Sequence, residues 1–288
     1  MENKPLRAAL FGFPLGHSVS PAMHHAAAEA LGLSLRYEPW PLVEDELAGA
    51  LRVIRGEPWV GANVTLPHKP TVARMVDHLT LPAQRIGAVN TVYKRDGALW
   101  GENTDAPALV RCLREFVGGP LAAERVLILG AGGAARAVVV ALHQLGAADI
   151  GIANRTEERA GALVRDLELR GAITAGAVHV LPWCAVSVAP ASTTLLVNAT
   201  SAGLDGTALP VAELPLNSGL LVYDLVYGSD ETPLVRYARD LGLRATDGLW
   251  MLVYQAALAF ELWTGVQPPE DVMHAAALSA LRTRPPER

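Results

Sequence analysis

The apolar positions of this 288-residue chain change period repeatedly along its length. Short apolar runs at residues 8–13, 35–40 and 61–66 read as strands. Between and after them, residues 21–31, 44–54 and 70–78 carry apolar side chains at helical spacing. Two further strand candidates, 88–94 and 98–100, flank Arg95-Asp96-Gly97, whose Asp-Gly pair predicts an antiparallel hairpin. The first hundred residues therefore read as an α/β unit.

A helical run at 106–117 ends at Gly118-Gly119-Pro120, and a new alternation follows. Strands are expected at 126–129, 149–154, near His179, at 195–198 and at 220–224, with helices at 134–145 and 157–169. That order predicts a doubly wound parallel sheet of Rossmann type. Apolar helices at 249–264 and 271–281 close the chain. The expected division is an N-terminal α/β domain over 1–105, a dinucleotide-binding domain over 106–248, and helices over 249–288 that return to pack on the first domain.

The candidate chemistry of the second domain begins at Gly130-Ala131-Gly132-Gly133-Ala134, where an apolar strand turns through glycines into a helix. Such a turn brings backbone N–H groups against a pyrophosphate: Gly130 permits the turn, Gly132 the close approach, and Ala135 is small enough for helix-on-strand packing. The next strand ends at Asn154-Arg155-Thr156, about 20 residues on, where ribose recognition is expected. No carboxylate stands there. Asn154 can bond the ribose or adenine region, and Arg155, Thr156 and Arg159 offer two guanidinium forks and a hydroxyl to a phosphate, which favours NADP over NAD. The competing reading makes Thr156 a helix cap and both arginines solvated.

Polar groups of the first domain fall at its predicted strand ends. Ser18 and Ser20 precede a helix whose first position is Pro21, so Ser20 reads either as an N-cap or, with Ser18, as a carboxylate site. Thr65 and Lys69 follow a strand, and Lys69 reads either as a snorkelling surface residue or as a cleft cation. Asn90 lies in an apolar segment where an amide needs partners, and Asp105 opens a helix that it could simply cap.

Charge narrows the function class. With 24 Lys and Arg against 29 Asp and Glu, the net charge of −5 argues against nucleic acid or an anionic membrane as partner. The 51% apolar share supplies a core for each domain. Cys112 and Cys184 make neither a disulfide scaffold nor a zinc site and suit a reducing cytoplasm. Residues 171–204 carry no charged side chain, yet their prolines and polar residues exclude a membrane span, and the amino terminus has no signal-peptide core. The eight histidines show no metal-ligand spacing, and neither Tyr-x-x-x-Lys nor Gly-x-Ser-x-Gly occurs.

Taken in order, these segments resemble the shikimate dehydrogenase family nearly end to end. The segments are Gly16-His17-Ser18-Val19-Ser20-Pro21, Asn63-Val64-Thr65-Leu66-Pro67-His68-Lys69, Gly87-Ala88-Val89-Asn90-Thr91, Asn103-Thr104-Asp105, the glycine loop, Asn154-Arg155-Thr156, Asn198-Ala199-Thr200-Ser201, Tyr223-Asp224-Leu225-Val226-Tyr227, and Asp247-Gly248-Leu249 with Gln255. The resemblance implies reversible reduction of 3-dehydroshikimate by NADPH in the cytoplasm, with Lys69 and Asp105 as the catalytic pair. It also implies that Ser18, Ser20, Thr65, Asn90, Tyr227 and Gln255 hold the substrate, that Leu225 and Gly248 border the nicotinamide, and that Asp77 is a cofactor contact. The partners implied are a small-molecule substrate and, at most, a second copy in a homodimer.

Glu102, Ala106-Pro107, Trp250 and Tyr254 depart from the family pattern and leave open whether quinate, a larger saturated relative, is excluded. An NAD-preferring quinate/shikimate dehydrogenase is the nearest rival. Glutamyl-tRNA reductase needs a nucleophilic cysteine in its first domain, and no cysteine precedes Cys112. A non-catalytic cofactor sensor would have no need of Lys69 and Asp105.

Overall fold

The computed structural model describes residues 5–15, 18–188, 192–211 and 219–283. Gly16 and His17 of the first loop motif lie outside the described residues. The chain divides into two compact units, one comprising the chain up to Asp105 together with the segment from Leu252 onward, the other Ala106–Met251.

The first unit holds a six-stranded mixed sheet made by β1 (Leu6–Gly12), β2 (Leu35–Pro41), β3 (Trp59–Val64), β4 (His78–Leu79), β5 (Thr91–Arg95) and β6 (Ala98–Glu102). Their order across the sheet is β2-β1-β3-β5-β6-β4. β1 runs parallel to both its neighbours, whereas β5 is antiparallel to β3 and to β6. The β5–β6 hairpin turns on Asp96 at φ 53° and Gly97 at φ 78°, the left-handed pair that matches the twist of a two-residue turn.

Helices α1 (Ser20–Ala30), α2 (Leu47–Arg55), α3 (Lys69–Ala73) and α4 (Leu81–Ile86) connect these strands. On α2, Leu47, Leu51 and Ile54 recur at helical spacing and are buried against Phe11, Trp59 and Val64 of the sheet. Full burial of such a side chain contributes roughly 1.5–3 kcal/mol as an upper estimate. Two sequence expectations fail here. The helix expected at 70–78 stops at Ala73, because the Asp77 N–H donates to Leu99 O (3.1 Å) and its carboxylate accepts from Leu99 N (2.8 Å), which draws the chain to the sheet edge as β4. Ser20 is the first helical residue, not the cap, since Met23 N donates to Val19 O (3.2 Å).

The second unit is built from α5 (Asp105–Val117), whose first residue belongs to the first unit, and then β7 (Arg125–Leu129), α6 (Gly133–Gln144), β8 (Asp149–Ala153), α7 (Glu157–Leu169), β9 (Val178–Leu181), β10 (Leu195–Asn198), β11 (Leu221–Asp224), α8 (Pro233–Asp240) and β12 (Arg244–Thr246). Every strand pair in its sheet is parallel, in the order β12-β11-β10-β7-β8-β9. The chain leaves β7 toward β8 and β9, then returns to β7's other side as β10. The strand order therefore reverses between β7 and β10, which opens a crevice at their carboxyl ends.

Helices α9 (Leu249–Thr264) and α10 (Glu270–Arg282) end the chain, and α10 packs on α1 within the first unit. Gly61 lets α9 approach β3: a Cβ there would meet Val92 O at 2.1 Å and the Trp263 indole nitrogen at 2.4 Å. That indole donates to Val92 O (2.9 Å). Among the described residues no helix is long and apolar enough to cross a membrane.

Candidate active site

Strand direction gathers the polar groups of the first unit at one end of its sheet. β1, β3 and β6 end there, at Gly12, Val64 and Glu102, and antiparallel β5 begins there, with Thr91 facing both Asn63 and Glu102. The segment before β5 and those after β3 and β6 consequently converge. They carry Asn90, Lys69 and Asp105.

Lys69 Nζ donates to Asp105 Oδ2 at 2.7 Å, with side chains only 13% and 5% exposed. Two desolvated charges of this kind contribute little to stability even when well paired, because taking them out of water costs about as much as their attraction returns. Asn90 anchors the pair. Its Nδ2 donates to Asp105 Oδ1 (2.9 Å), Thr104 Oγ1 (2.8 Å) and Gln255 Oε1 (3.3 Å), three acceptors for two hydrogens, while its Oδ1 accepts from Thr104 N (2.7 Å). Backbone bonds fix the anchor in turn, with Val64 N donating to Asn90 O (2.7 Å) and Asn90 N to Glu102 O (3.1 Å).

Ser18, Ser20, Thr65 and Gln255 stand at the same end of the sheet. Ser18 Oγ donates to Ser20 Oγ (3.1 Å) and accepts from Ser20 N (3.2 Å), so both hydroxyls sit at the start of α1, which has no side-chain cap. Thr65 N donates to Phe11 O (2.8 Å), and its hydroxyl makes no hydrogen bond among the described residues. Gln255 Nε2 donates to Leu252 O (2.8 Å), leaving its Oε1 toward Asn90. Tyr227 lies in the second unit. Asp77 does not join the cluster: both its oxygens bond Arg55 at 2.7 Å, and that guanidinium first, then the Leu99 amide, holds its pKa down to about 2.

Sequence reasoning missed the layer beneath. Asn63, buried in β3, donates through Nδ2 to Asn90 O (3.2 Å) and Thr91 Oγ1 (3.1 Å), and its Oδ1 accepts from the Tyr37 hydroxyl (2.9 Å). His24 stacks on Tyr37 with ring centroids 4.4 Å apart, and neither of its nitrogens makes a hydrogen bond among the described residues. Burial pushes the Tyr37 hydroxyl pKa up and the His24 pKa down to about 3, so the imidazole is neutral. The available signal was an amide inside the apolar run 59–64.

In the second unit, the crevice between β7 and β10 holds the glycine loop. Gly130 has φ +100°, and a Cβ on it would meet Ala199 O at 2.9 Å. Gly132 has open space where a side chain would stand, and as the residue before α6 it gives the first-turn amides of Gly133 and Ala134 no side-chain cap. Ala131 lies between them. Asn154 Nδ2 donates to Thr156 O (2.7 Å), and Thr156 occupies the cap position of α7 without a side-chain cap bond. Arg155 and Arg159 are exposed and form no ion pair among the described residues. Gly248 passes so close to Leu225 that a Cβ would meet Leu225 O at 2.2 Å. Among the described residues no cluster of three or more His, Cys, Asp or Glu is arranged to hold a metal ion.

Three family models match the chain: the shikimate dehydrogenase substrate binding domain over residues 10–92, shikimate / quinate 5-dehydrogenase over 113–181, and the shikimate 5'-dehydrogenase C-terminal domain over 248–278. The shikimate dehydrogenase (NADP(+)) of Thermus thermophilus is 43% identical over 279 residues, 96% of this chain and 99% of that one. Among solved structures, a shikimate 5-dehydrogenase from Thermus thermophilus in complex with NADP(H) and shikimate is 40% identical with a TM-score of 0.83, covering 96% of this chain and 100% of that one. Quinate dehydrogenase from Corynebacterium glutamicum in complex with NAD is 30% identical with a TM-score of 0.84, covering 96% and 99%.

Proposed function

The chain belongs to the shikimate dehydrogenase family, and from that membership we propose that it reversibly reduces 3-dehydroshikimate to shikimate with NADPH, in the route to chorismate and the aromatic amino acids. The observation that carries the reading is the buried Lys69–Asp105 pair at 2.7 Å, held by Asn90. A desolvated ion pair that stability does not require is the expected form of a proton-transfer device.

The residues present fit NADP. Gly130, Ala131, Gly132, Gly133 and Ala134 offer uncapped amides and clearance to a pyrophosphate. Arg155 and Arg159, exposed and without ion pairs among the described residues, offer two forks to a ribose phosphate, with Asn154 and Thr156 beside them. Leu225 and Gly248 border the nicotinamide. Bound NADPH supplies the hydride that reduces the carbonyl carbon. Asp77 completes the cofactor set: Arg55 and the Leu99 amide hold its carboxylate in place, and its Oδ1 accepts only one of those bonds.

The chain's own residues do the rest. Ser18 and Ser20 bind the substrate carboxylate, and Thr65, Asn90, Tyr227 and Gln255 hold the ring and its hydroxyls. As negative charge develops on the carbonyl oxygen, the Lys69–Asp105 pair delivers the proton that completes the alcohol; in reverse it takes that proton back. This division assigns substrate binding and catalysis to 1–105, NADP to 106–248, and a supporting role to 249–288. The reaction is assigned to the cytoplasm, and assembly to a homodimer at most, which sedimentation decides.

Substituting Lys69→Ala tests the pair. Turnover should fall about 10²–10⁴-fold while NADPH affinity stays within about twofold of wild type. Equal turnover in the two proteins would remove Lys69 from the mechanism.

A further inference from the structure

The second unit contains a buried polar hub that none of the assigned roles uses. Asp224 ends β11 and Asn198 ends β10, directly opposite each other in register, and both are 0% exposed. Asn198 Nδ2 donates to Asp224 Oδ1 at 2.8 Å. The same oxygen accepts from Val226 N (3.0 Å), and Oδ2 accepts from Thr232 Oγ1 (2.6 Å). Asn198 Oδ1 accepts from Thr200 N (3.0 Å) and Thr200 Oγ1 (2.7 Å). Thr232 is also the cap of α8, its hydroxyl accepting from Val235 N (3.3 Å).

A carboxylate removed from water is costly, and a packed apolar residue would fill the ends of these two interior strands more cheaply. What this one does is tie down backbone. Through Asn198 it fixes Thr200, which stands against Gly130 in the glycine loop, where a Cβ would meet Thr200 Cγ2 at 3.0 Å. Through Val226 N it fixes the segment after β11, and Val226 O in turn accepts from Gly248 N (3.0 Å). Leu225 N donates to Asn198 O (3.0 Å), so the Leu225–Gly248 approach is held from both strands.

We propose that Asp224 and Asn198 are positioning residues for the dinucleotide, setting Thr200 against the glycine loop and the Leu225 and Gly248 backbones against each other before any ligand arrives. The inference rests on the NADP reading of that crevice. Preformed backbone of this kind lowers the ordering cost of binding, so its loss should appear in cofactor affinity.

The test is NADPH titration, followed by protein fluorescence without substrate, on wild type, Asp224→Ala, Asp224→Asn and Thr200→Val, with thermal unfolding run alongside. Asp224→Ala should weaken NADPH at least tenfold at a temperature where the variant is fully folded. Asp224→Asn keeps an acceptor toward Asn198 and Val226 and turns its amide to Thr232, so it should recover affinity to within about threefold. A role confined to stability would lower the melting temperature in both variants and leave the dissociation constant of folded protein alone. If Asp224→Ala does not fold, Thr200→Val carries the test, with at least threefold weakening expected. Folded Asp224→Ala, or in its place Thr200→Val, binding NADPH within twofold of wild type overturns the inference alone. Wild-type protein that binds no NADPH overturns the cofactor reading and the inference with it.

Discussion

In the proposed reading, the preference for NADP over NAD rests on Arg155. An exposed guanidinium at the tip of β8, without an ion pair among the described residues and without a carboxylate beside it at the strand tip, is suited to a phosphate dianion and bonds a bare ribose hydroxyl more weakly. Arg155→Ala should reduce the NADP over NAD preference about tenfold or more, as expected for a charge-assisted contact, when kcat/KM is compared for the two dinucleotides. An unchanged ratio would remove the guanidinium from phosphate recognition. At this scale the sequence was legible where chemistry is local. Gly130, with its positive φ, and Gly132, with its open side-chain space, announce themselves by their distance from a strand end. Lys69 and Asp105 do not: they lie 36 residues apart and meet because antiparallel β5 lies between β3 and β6, so that both strands stop at the same end of the sheet. Asn63 and Tyr37 were missed because their partners come from three strands, which no linear spacing records.

Elements with a clean period were read almost to the residue: α7 and α9 occupy the ranges their apolar spacing predicts, and the hairpin turns where Asp-Gly stands. Elements defined by long-range bonds were not. β4 exists because Asp77 and Leu99 pair across the sheet, and β12 because three residues find a neighbour in β11. The α9–β3 contact gives a prediction at this scale. Gly61→Ala would drive a methyl into Val92 O and the Trp263 indole, both fixed by their mutual hydrogen bond, so neither can yield cheaply. The variant should lose about 1–3 kcal/mol in urea unfolding. Wild-type stability would mean that α9 does not rest on β3 as described.

At the scale of the whole molecule, two buried groups set opposing pH dependences. His24, pushed by burial to about 3 from an ordinary 6.5, takes up its proton in the unfolded chain first. Its contribution is therefore complete above pH 6.5 and is lost as pH falls toward 3, by about 5 kcal/mol at most. Asp224, raised by burial to about 6 from 3.8, works in the other direction: stability from this group rises as pH falls from 6 toward 3.8, by about 3 kcal/mol at most. The two slopes oppose each other between about pH 6 and 4, and the loss from His24 continues below. Urea unfolding of His24→Phe at about pH 7, 5 and 4 should show stability that declines less with acid than wild type; parallel pH profiles would contradict the assignment.

Reversible reduction of 3-dehydroshikimate by NADPH is one reaction with one pair of reactants, and a direct assay tests it. Purified protein is mixed with shikimate or with quinate, each with NADP⁺ or NAD⁺ under identical conditions, and cofactor reduction is followed. Turnover should concentrate in the shikimate and NADP⁺ combination. Comparable turnover of quinate, a preference for NAD⁺, or no turnover by protein that still binds NADPH would contradict it.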